Sequence, residues 1–310
     1  MSEPIVAFEG PRGTSHERAL KLIKTLGNFE SVPMFSSSNV LQSVFSVPDL
    51  FGIIPIESSI EGLRISILDQ LAFETTKVLA CEEVVLAEKI EGFSLVGEPP
   101  IDTVISHPQI IELCQEFIQQ NGLKVQYATS TDMACAEVVS KRVPSIMALA
   151  PTAVGQRYGL KPFFNGIFGD PEVRTRYLLV GHGVGKATAS DRSLLLVIPA
   201  ADQTGTLAMI SKIFAMHKTN MQSIISRPLA DAIGKHAFYI SCDGHISSNS
   251  LQSVIKDLIN QGSMVKPLGS FPLWNGPEVT SPFSTAPEDS LKQERQSFEP
   301  FVSPVVIAEN

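Results

Sequence analysis

Short apolar runs alternate with helix-period stripes through the first half of the chain, and each run stops at glycine, proline or hydroxyl residues. Residues 4–8 are such a run, broken by Glu9-Gly10-Pro11-Arg12-Gly13. Thr14 follows with Glu17 at capping-box spacing, and Leu20, Ile23 and Leu26 mark a helix ended by Gly27. The order strand, turn, capped helix then recurs. Residues 51–56 lead into Ser58 and Glu61, with Leu63, Ile67, Leu68 and Leu71 as the stripe behind them. Val104 and Ile105 lead into Ser106 and Gln109, with Pro108 in the first turn, where its missing N–H loses no helix bond. Residues 125–127 lead into Thr129-Ser130-Thr131, and residues 146–150 into Pro151-Thr152. This alternation over residues 4–160 predicts parallel sheets covered on both faces, with ligands at the carboxyl ends of the strands. Helix starts leave free N–H groups and a dipole that favours an anion. Neither Walker A nor GxGxxG spacing occurs, so small carboxylates fit these loops better than nucleotides.

The pattern changes after residue 183. Residues 183–191 are rich in Gly, Ala, Ser and Thr, as a linker is. A strand at 193–198, a helix opened by Thr204-Gly205-Thr206, strands at 221–225 and 236–242, a helix near 250–259 and a strand near 265–271 give a βαββαβ order. That order predicts a ferredoxin-like α+β module, of a size that usually needs a partner to cover its sheet or edges. Residues 277–300 are dominated by proline, serine and acidic residues and read as a disordered tail.

Between these two parts lies Gly169-Asp170-Pro171-Glu172-Val173-Arg174-Thr175-Arg176-Tyr177, a turn followed by two arginines that bracket a threonine. Guanidinium forks with a hydroxyl between them suit a substrate carboxylate. The alternative is an ordinary strand edge with surface arginines. Composition narrows the class. A net charge of −8 argues against nucleic acid and anionic membrane as main partners. Cys81, Cys114, Cys135 and Cys242 are widely spaced without a CxxC pair and read as buried thiols in a reducing compartment. With no apolar run long enough to span a bilayer, a cytoplasmic protein is expected.

These segments, in order, resemble prephenate dehydratases with a C-terminal ACT regulatory domain, over roughly residues 5–271. Gly10-Pro11-Arg12-Gly13-Thr14 resembles G-P-x-G-T, and Gly52 to Gly62 resembles G-x-x-P-I-E-N-S-x-x-G. Ser106-His107-Pro108-Gln109 is similar to S-H-P-Q, Ser130-Thr131 to a hydroxyl pair, and Thr175-Arg176-Tyr177 to T-R-F. Gly205-Thr206-Leu207 resembles G-A-L, and Ser226-Arg227-Pro228 the end of E-S-R-P. The chain departs from the pattern at Ser15 (usually aromatic), Ser58 (usually Asn), Leu113 (often Gln), Tyr177 (Phe) and Ile225 (Glu).

The resemblance implies a two-lobed, periplasmic-binding-protein-like catalytic domain at 1–182 and an ACT domain at 191–274, followed by a tail at 275–310. One lobe would hold about 1–76 and 165–182, the other about 77–164. It implies conversion of prephenate to phenylpyruvate in phenylalanine biosynthesis, without metal or organic cofactor. Thr175 would act at the departing hydroxyl and Arg176 would hold a carboxylate. Thr14, Ser59, Ser130 and Thr131 would bind substrate, cap helices, or do both. Phenylalanine would act as effector through Gly205, Thr206, Leu207, Ser226, Arg227 and Pro228, more weakly than in relatives because Ile225 brings no carboxylate. A homodimer or homotetramer is expected. Two other readings stay open: a non-catalytic binding protein on the same fold, and the same chemistry on arogenate.

Overall fold

A long apolar segment, Leu79 to Ser94, carries glutamates at positions 82, 83, 88 and 91 and ties the molecule together as one strand, β5 (Leu79–Ser94). The computed structural model describes residues 3–97, 100–164, 172–201, 203–229 and 235–279. Along its first part β5 pairs with β10 (Glu172–Gly181), from Leu79 to Lys89. From Ile90 to Ser94 it pairs instead with β8 (Ile146–Pro151) and β9 (Lys161–Phe164) in a second sheet. The lobes therefore change over inside β5, near residue 89, beyond the expected division at residue 76.

The first sheet also contains β1 (Ile5–Glu9), β2 (Glu30–Met34) and β3 (Leu50–Ser58), in the order β2-β1-β3-β10-β5. β2, β1 and β3 are parallel, whereas β10 runs antiparallel to both its neighbours. In the second sheet β7 (Lys124–Tyr127), β6 (Thr103–Ser106) and β8 are parallel, and β5 joins antiparallel. The sheets are thus mixed, not purely parallel: β10 runs against the rest of the first sheet, and β5 runs against its neighbours in the second. Helices α1 (Ser15–Leu20), α2 (Ser37–Ser46), α4 (Pro108–Leu113), α5 (Gln115–Gln120), α6 (Thr131–Lys141) and α7 (Thr152–Arg157) connect the strands. The helix expected straight after Ser58 does not form there. Gly62 adopts φ +70°, which a helix cannot accommodate, and Gly62–Leu63 instead adds a short strand, β4, to β3. Helix α3 (Ile65–Asp69) follows and runs into a π-helical turn at Gln70–Glu74.

The C-terminal unit comprises β11 (Asp191–Ile198), α8 (Thr206–Met216), β12 (Met221–Pro228), β13 (His236–Asp243), α9 (Asn249–Asn260) and β14 (Met264–Pro272). Its strand order β12-β13-β11-β14 is the ferredoxin-like arrangement expected from the sequence. One face of the sheet packs on α8 and α9 through Val197, Phe214, Phe238, Val254 and Leu258. The other face is covered by the first lobe: Leu196, Tyr239, Leu268 and Phe271 share a core with Ile54, Leu68 and Leu71. Polar contacts fix the same junction. Asp69 accepts from Arg227 Nη2 at 2.9 Å and from the Tyr239 hydroxyl at 2.7 Å, and Lys266 Nζ donates to the carbonyls of Ala72 in the π turn and Thr75 just after it. A cation there suits the unpaired carbonyls and the negative dipole end. At the edge, β14 meets β5 at Gly269↔Ala80, so all these strands join in one continuous sheet. The face of this module is thus covered by its own chain, whereas β12 stands at the edge of the sheet with Gln222, Ser223 and Ile224 exposed. Of the expected tail, residues 280–310 lie outside the described residues.

All four cysteines are buried and unpaired, and burial pushes each thiol up to about 12. No helix among the described residues is long and apolar enough to cross a membrane.

The β14–β5 junction has a sharp test. A Cβ on Gly269 would stand 2.5 Å from both the Cβ and the carbonyl oxygen of Ala80, whereas nothing lies within 4 Å of one on Gly183. Gly269→Ala should lower stability by about 1–3 kcal/mol through overpacking against backbone, and Gly183→Ala should not. Thermal unfolding of the two variants decides it; an unchanged midpoint in Gly269→Ala would mean that the units are not held at this edge.

Candidate active site

Five loops leave the carboxyl ends of β1, β3, β6, β7 and β8 and line one cleft between the lobes, about 560 Å³ in volume. They bring Thr14 and His16, Ser58 and Arg64, His107 and Gln109, Ser130 and Thr131, and Pro151 to its wall. Val173, Thr175 and Tyr177 of β10 and Glu88 of β5 close the back. This is where ligands bind in open α/β sheets.

Local interactions shape the loops. Gly13 sits at φ +83° and a Cβ there would stand 2.8 Å from Arg157 Cδ, so both conformation and space favour glycine. Glu17 Oε2 accepts from the Gly13 N–H at 2.5 Å, a residue earlier than the expected capping box. The Thr14 hydroxyl donates weakly to the Glu9 carbonyl at 3.4 Å, and no side chain caps α1. Ser130 Oγ accepts from the Met133 N–H at 3.0 Å and caps α6. Helix α4 is capped by His107, whose Nδ1 accepts from the Gln109 N–H at 3.4 Å, and not by Ser106, which donates to the Leu149 carbonyl at 2.6 Å. Ser58 Oγ accepts from the Glu61 N–H at 2.8 Å and holds the turn after β3.

Four of the six expected catalytic and substrate-binding residues come together: Thr14, Ser130, Thr131 and Thr175. Arg176 and Ser59 do not join them. Side chains alternate along a strand, so Arg176 points to the opposite face of β10, where Nη1 pairs with Glu57 Oε2 at 3.1 Å. The reading of Arg176 as the carboxylate grip is corrected by that alternation. Arg174 pairs with Glu172 at 2.9 Å. Ser59 spends both its groups on β10: its N–H donates to the Arg174 carbonyl at 2.8 Å, and its Oγ accepts from the Arg174 N–H at 3.0 Å. The turn residues Gly169 to Pro171 lie outside the described residues.

Residues 6–184 match the family described as prephenate dehydratase. The chain belongs to the prephenate dehydratase family. It is 28% identical over 276 residues to the prephenate dehydratase of Methanocaldococcus jannaschii, covering 87% of this chain and 98% of that one. Among solved structures, the prephenate dehydratase of Staphylococcus aureus subsp. aureus Mu50 superposes with a TM-score of 0.73 at 25% identity, over 86% of this chain and 99% of that one. The Arthrobacter aurescens prephenate dehydratase, solved in complex with L-Phe, gives 0.76 at 22% identity over 94% of this chain and 98% of that one. That last likeness extends the shared fold through the C-terminal unit.

The dehydratase cleft is rich in carboxylates, yet each has a partner. Glu61 pairs with Arg64 at 2.9 Å, Glu88 with Arg18, and Asp132 with Arg157, while Glu9 takes the hydroxyl and N–H of Ser37. Arginines neutralise three of these carboxylates, whereas the partners of Glu9 are neutral groups. Burial raises the Glu88 carboxyl above its usual range, against the opposing pull of its bonds to Ser15 and Arg18. Burial lowers His16, although Glu9, 4.0 Å away, pulls the other way. The His16 ring packs edge-on to Tyr177 with centroids 5.7 Å apart, and its buried Nδ1 has no hydrogen-bond partner among the described residues. Sequence reasoning passed over Arg64, His16 and Glu88. His16 stood two residues past Thr14, and Glu88 was a carboxylate inside an apolar strand; both were available signals.

The expected effector residues are spread out within one chain. Gly205 has φ +92° with open space around it, Thr206 Oγ1 accepts from the Gln203 N–H at 3.1 Å, and Leu207 is exposed. Ser226 and Pro228 are exposed on β12, while Arg227 is committed to Asp69. Ser226 and Val197 both pair with Phe238, so β13 separates the two segments.

His16 gives the cleft a pH signature. Because its folded pKa lies below 6.5, the unfolded chain binds a proton that the folded chain refuses as pH falls through that window, and stability drops. Glu88 works in the opposite sense near its own range but is common to both proteins compared. His16→Gln should therefore lose less thermal stability than the parent between about pH 7 and pH 5.5. Parallel curves would show that His16 is solvated and titrates normally.

Proposed function

We propose that this chain converts prephenate to phenylpyruvate, with Thr175 at the departing hydroxyl. The observation that carries the reading is the placement of Thr175 in the cleft with Thr14, Ser130 and Thr131, in a chain of this family. It is then a lyase of phenylalanine biosynthesis. The electrons of the bond to the ring carboxylate flow into the ring as CO2 leaves, the ring becomes aromatic, and hydroxide leaves from the opposite carbon and is protonated to water. Aromatisation supplies the driving force, so the protein mainly has to position the substrate and hydrogen-bond the leaving oxygen. A threonine hydroxyl is a donor in that role and not a tuned acid.

Arg64 takes the part first given to Arg176. It lines the cleft, and a substrate carboxylate competes with Glu61 for its guanidinium. The uncapped N–H groups of α1 and the positive end of α6 support the second carboxylate. The C-terminal unit is read as an ACT regulatory domain. The L-Phe bound to the Arthrobacter aurescens relative supports phenylalanine as effector here as well.

Incubating the pure protein with prephenate and following phenylpyruvate absorbance in alkali tests the activity. Thr175→Ala should lower kcat by about 10²-fold or more while KM changes little. Arg64→Met should act mainly on KM, raising it roughly tenfold or more as a charged hydrogen bond is lost. Near-normal turnover by folded Thr175→Ala would remove the threonine from the mechanism.

A further inference from the structure

Glu9 is the carboxylate of the cleft wall that no arginine neutralises. Its Oε2 accepts from the N–H of Ser37 at 3.2 Å and from the Ser37 hydroxyl, and its Oε1 has no hydrogen-bond partner among the described residues. The side chain is 29% exposed, so a ligand in the cleft can reach it. His16 Nε2 lies 4.0 Å away, beyond hydrogen-bond distance. Burial lowers the His16 pKa, so the ring brings Glu9 no compensating charge at neutral pH. Glu61, Glu88 and Asp132 each have their arginine. Among these carboxylates, the charge of Glu9 alone is left over.

Its place in the cleft gives that charge a use. The charges of Glu9 and Arg64 both act on His16, in opposite senses, so the two stand at the same end of the cleft. The His16 ring packs on Tyr177, and Thr175 faces the cleft two residues away on the same strand, a step of about 7 Å. A six-membered ring with its leaving hydroxyl at Thr175 would carry its three-carbon side chain towards Arg64 and Glu9. With a ketone on that side chain, as in prephenate, Glu9 faces only neutral and negative groups of the substrate, and the encounter is repulsive. With an amine in its place, the side chain offers an ammonium to Glu9 and a carboxylate to Arg64, and every charge has a partner.

We propose that Glu9 is a specificity-determining residue of this cleft, which takes the ammonium of arogenate while Arg64 takes the carboxylate on the same carbon. Prephenate is then the poorer of two substrates. The bonds that change are the same for both. The bond from the ring to its carboxylate breaks as CO2 leaves, its electrons make the ring aromatic, and hydroxide leaves and is protonated to water. The amine is untouched, so the product from arogenate is phenylalanine. The inference rests on the dehydratase reading above and on Arg64 as the carboxylate grip.

The test is steady-state kinetics of the full chain on arogenate and prephenate in parallel, with phenylalanine and phenylpyruvate measured as products. The parent should show a kcat/KM for arogenate no lower than that for prephenate. Glu9→Gln keeps the shape and an acceptor for Ser37 and removes only the charge. It should lower the ratio of the two kcat/KM values, arogenate over prephenate, by roughly tenfold or more, chiefly through KM. Prephenate itself should be used better by this variant, since a repulsion is gone. Glu61→Gln removes a carboxylate that Arg64 already neutralises, and because both substrates offer Arg64 the same group, the ratio should stay as in the parent. A parent that favours prephenate, an unchanged ratio in Glu9→Gln, or an equal fall in Glu61→Gln would overturn the proposal and leave the dehydratase reading intact. A protein that turns over neither substrate would overturn both.

Discussion

Strand β10 is hydrogen-bonded on both sides, to β3 and to β5, and cannot rotate to choose which residues it shows to which face. Its side chains must alternate. Val173, Thr175 and Tyr177 face the cleft between the lobes, and Arg174 and Arg176 face away from it. That constraint separates a cleft side from a coupling side a single residue apart. Ser59 strengthens it by pairing with the backbone of Arg174, which extends the strand's anchorage to the edge of the cleft.

The coupling side explains how the C-terminal unit is integrated. A ferredoxin-like module with helices on one face needs something apolar on the other, and here the first lobe supplies it through Leu68 and Leu71. Around that core, Asp69 holds Arg227 and Tyr239, and Lys266 holds the end of the π-helical turn. Tyr239 is buried, but the Arg227 side chain is 42% exposed, so the ion pair itself contributes little and the apolar core carries the junction. The C-terminal unit is therefore fastened directly to α3 and the π-helical turn and not only through its linker. Even the glycine-rich segment between the units is pinned, since the Gly185 N–H donates to the Ser270 carbonyl at 2.7 Å.

Much of this was legible in the sequence. The loops that build the cleft were found because glycine, proline and hydroxyl residues punctuate apolar runs, and the βαββαβ order followed from periodicity alone. Strand β2 and helix α2 escaped notice because β2 is an edge strand with Pro33 in it and little apolar alternation. Strand β5 escaped because it is buried in both sheets and has no clean period, so the lobe boundary was placed too early. The error at Arg176 was of another kind. The motif put Thr175 and Arg176 side by side, while a period of two in any strand puts neighbours on opposite faces; the rule was at hand and pointed to Thr175 and Tyr177 as the pair. The sequence flagged His16 and Glu88 as positions of interest, but which groups pair with them and with Arg64 depends on which loops meet, and local pattern carries no information on that.

The most direct test of this division is a crystal structure of the protein with a stable, ring-reduced dicarboxylate analogue of prephenate. The analogue should lie against Thr14, Ser130 and Thr175, with a carboxylate on Arg64 and Arg176 still paired to Glu57. A carboxylate seated on Arg176, with Thr175 out of reach, would contradict the account.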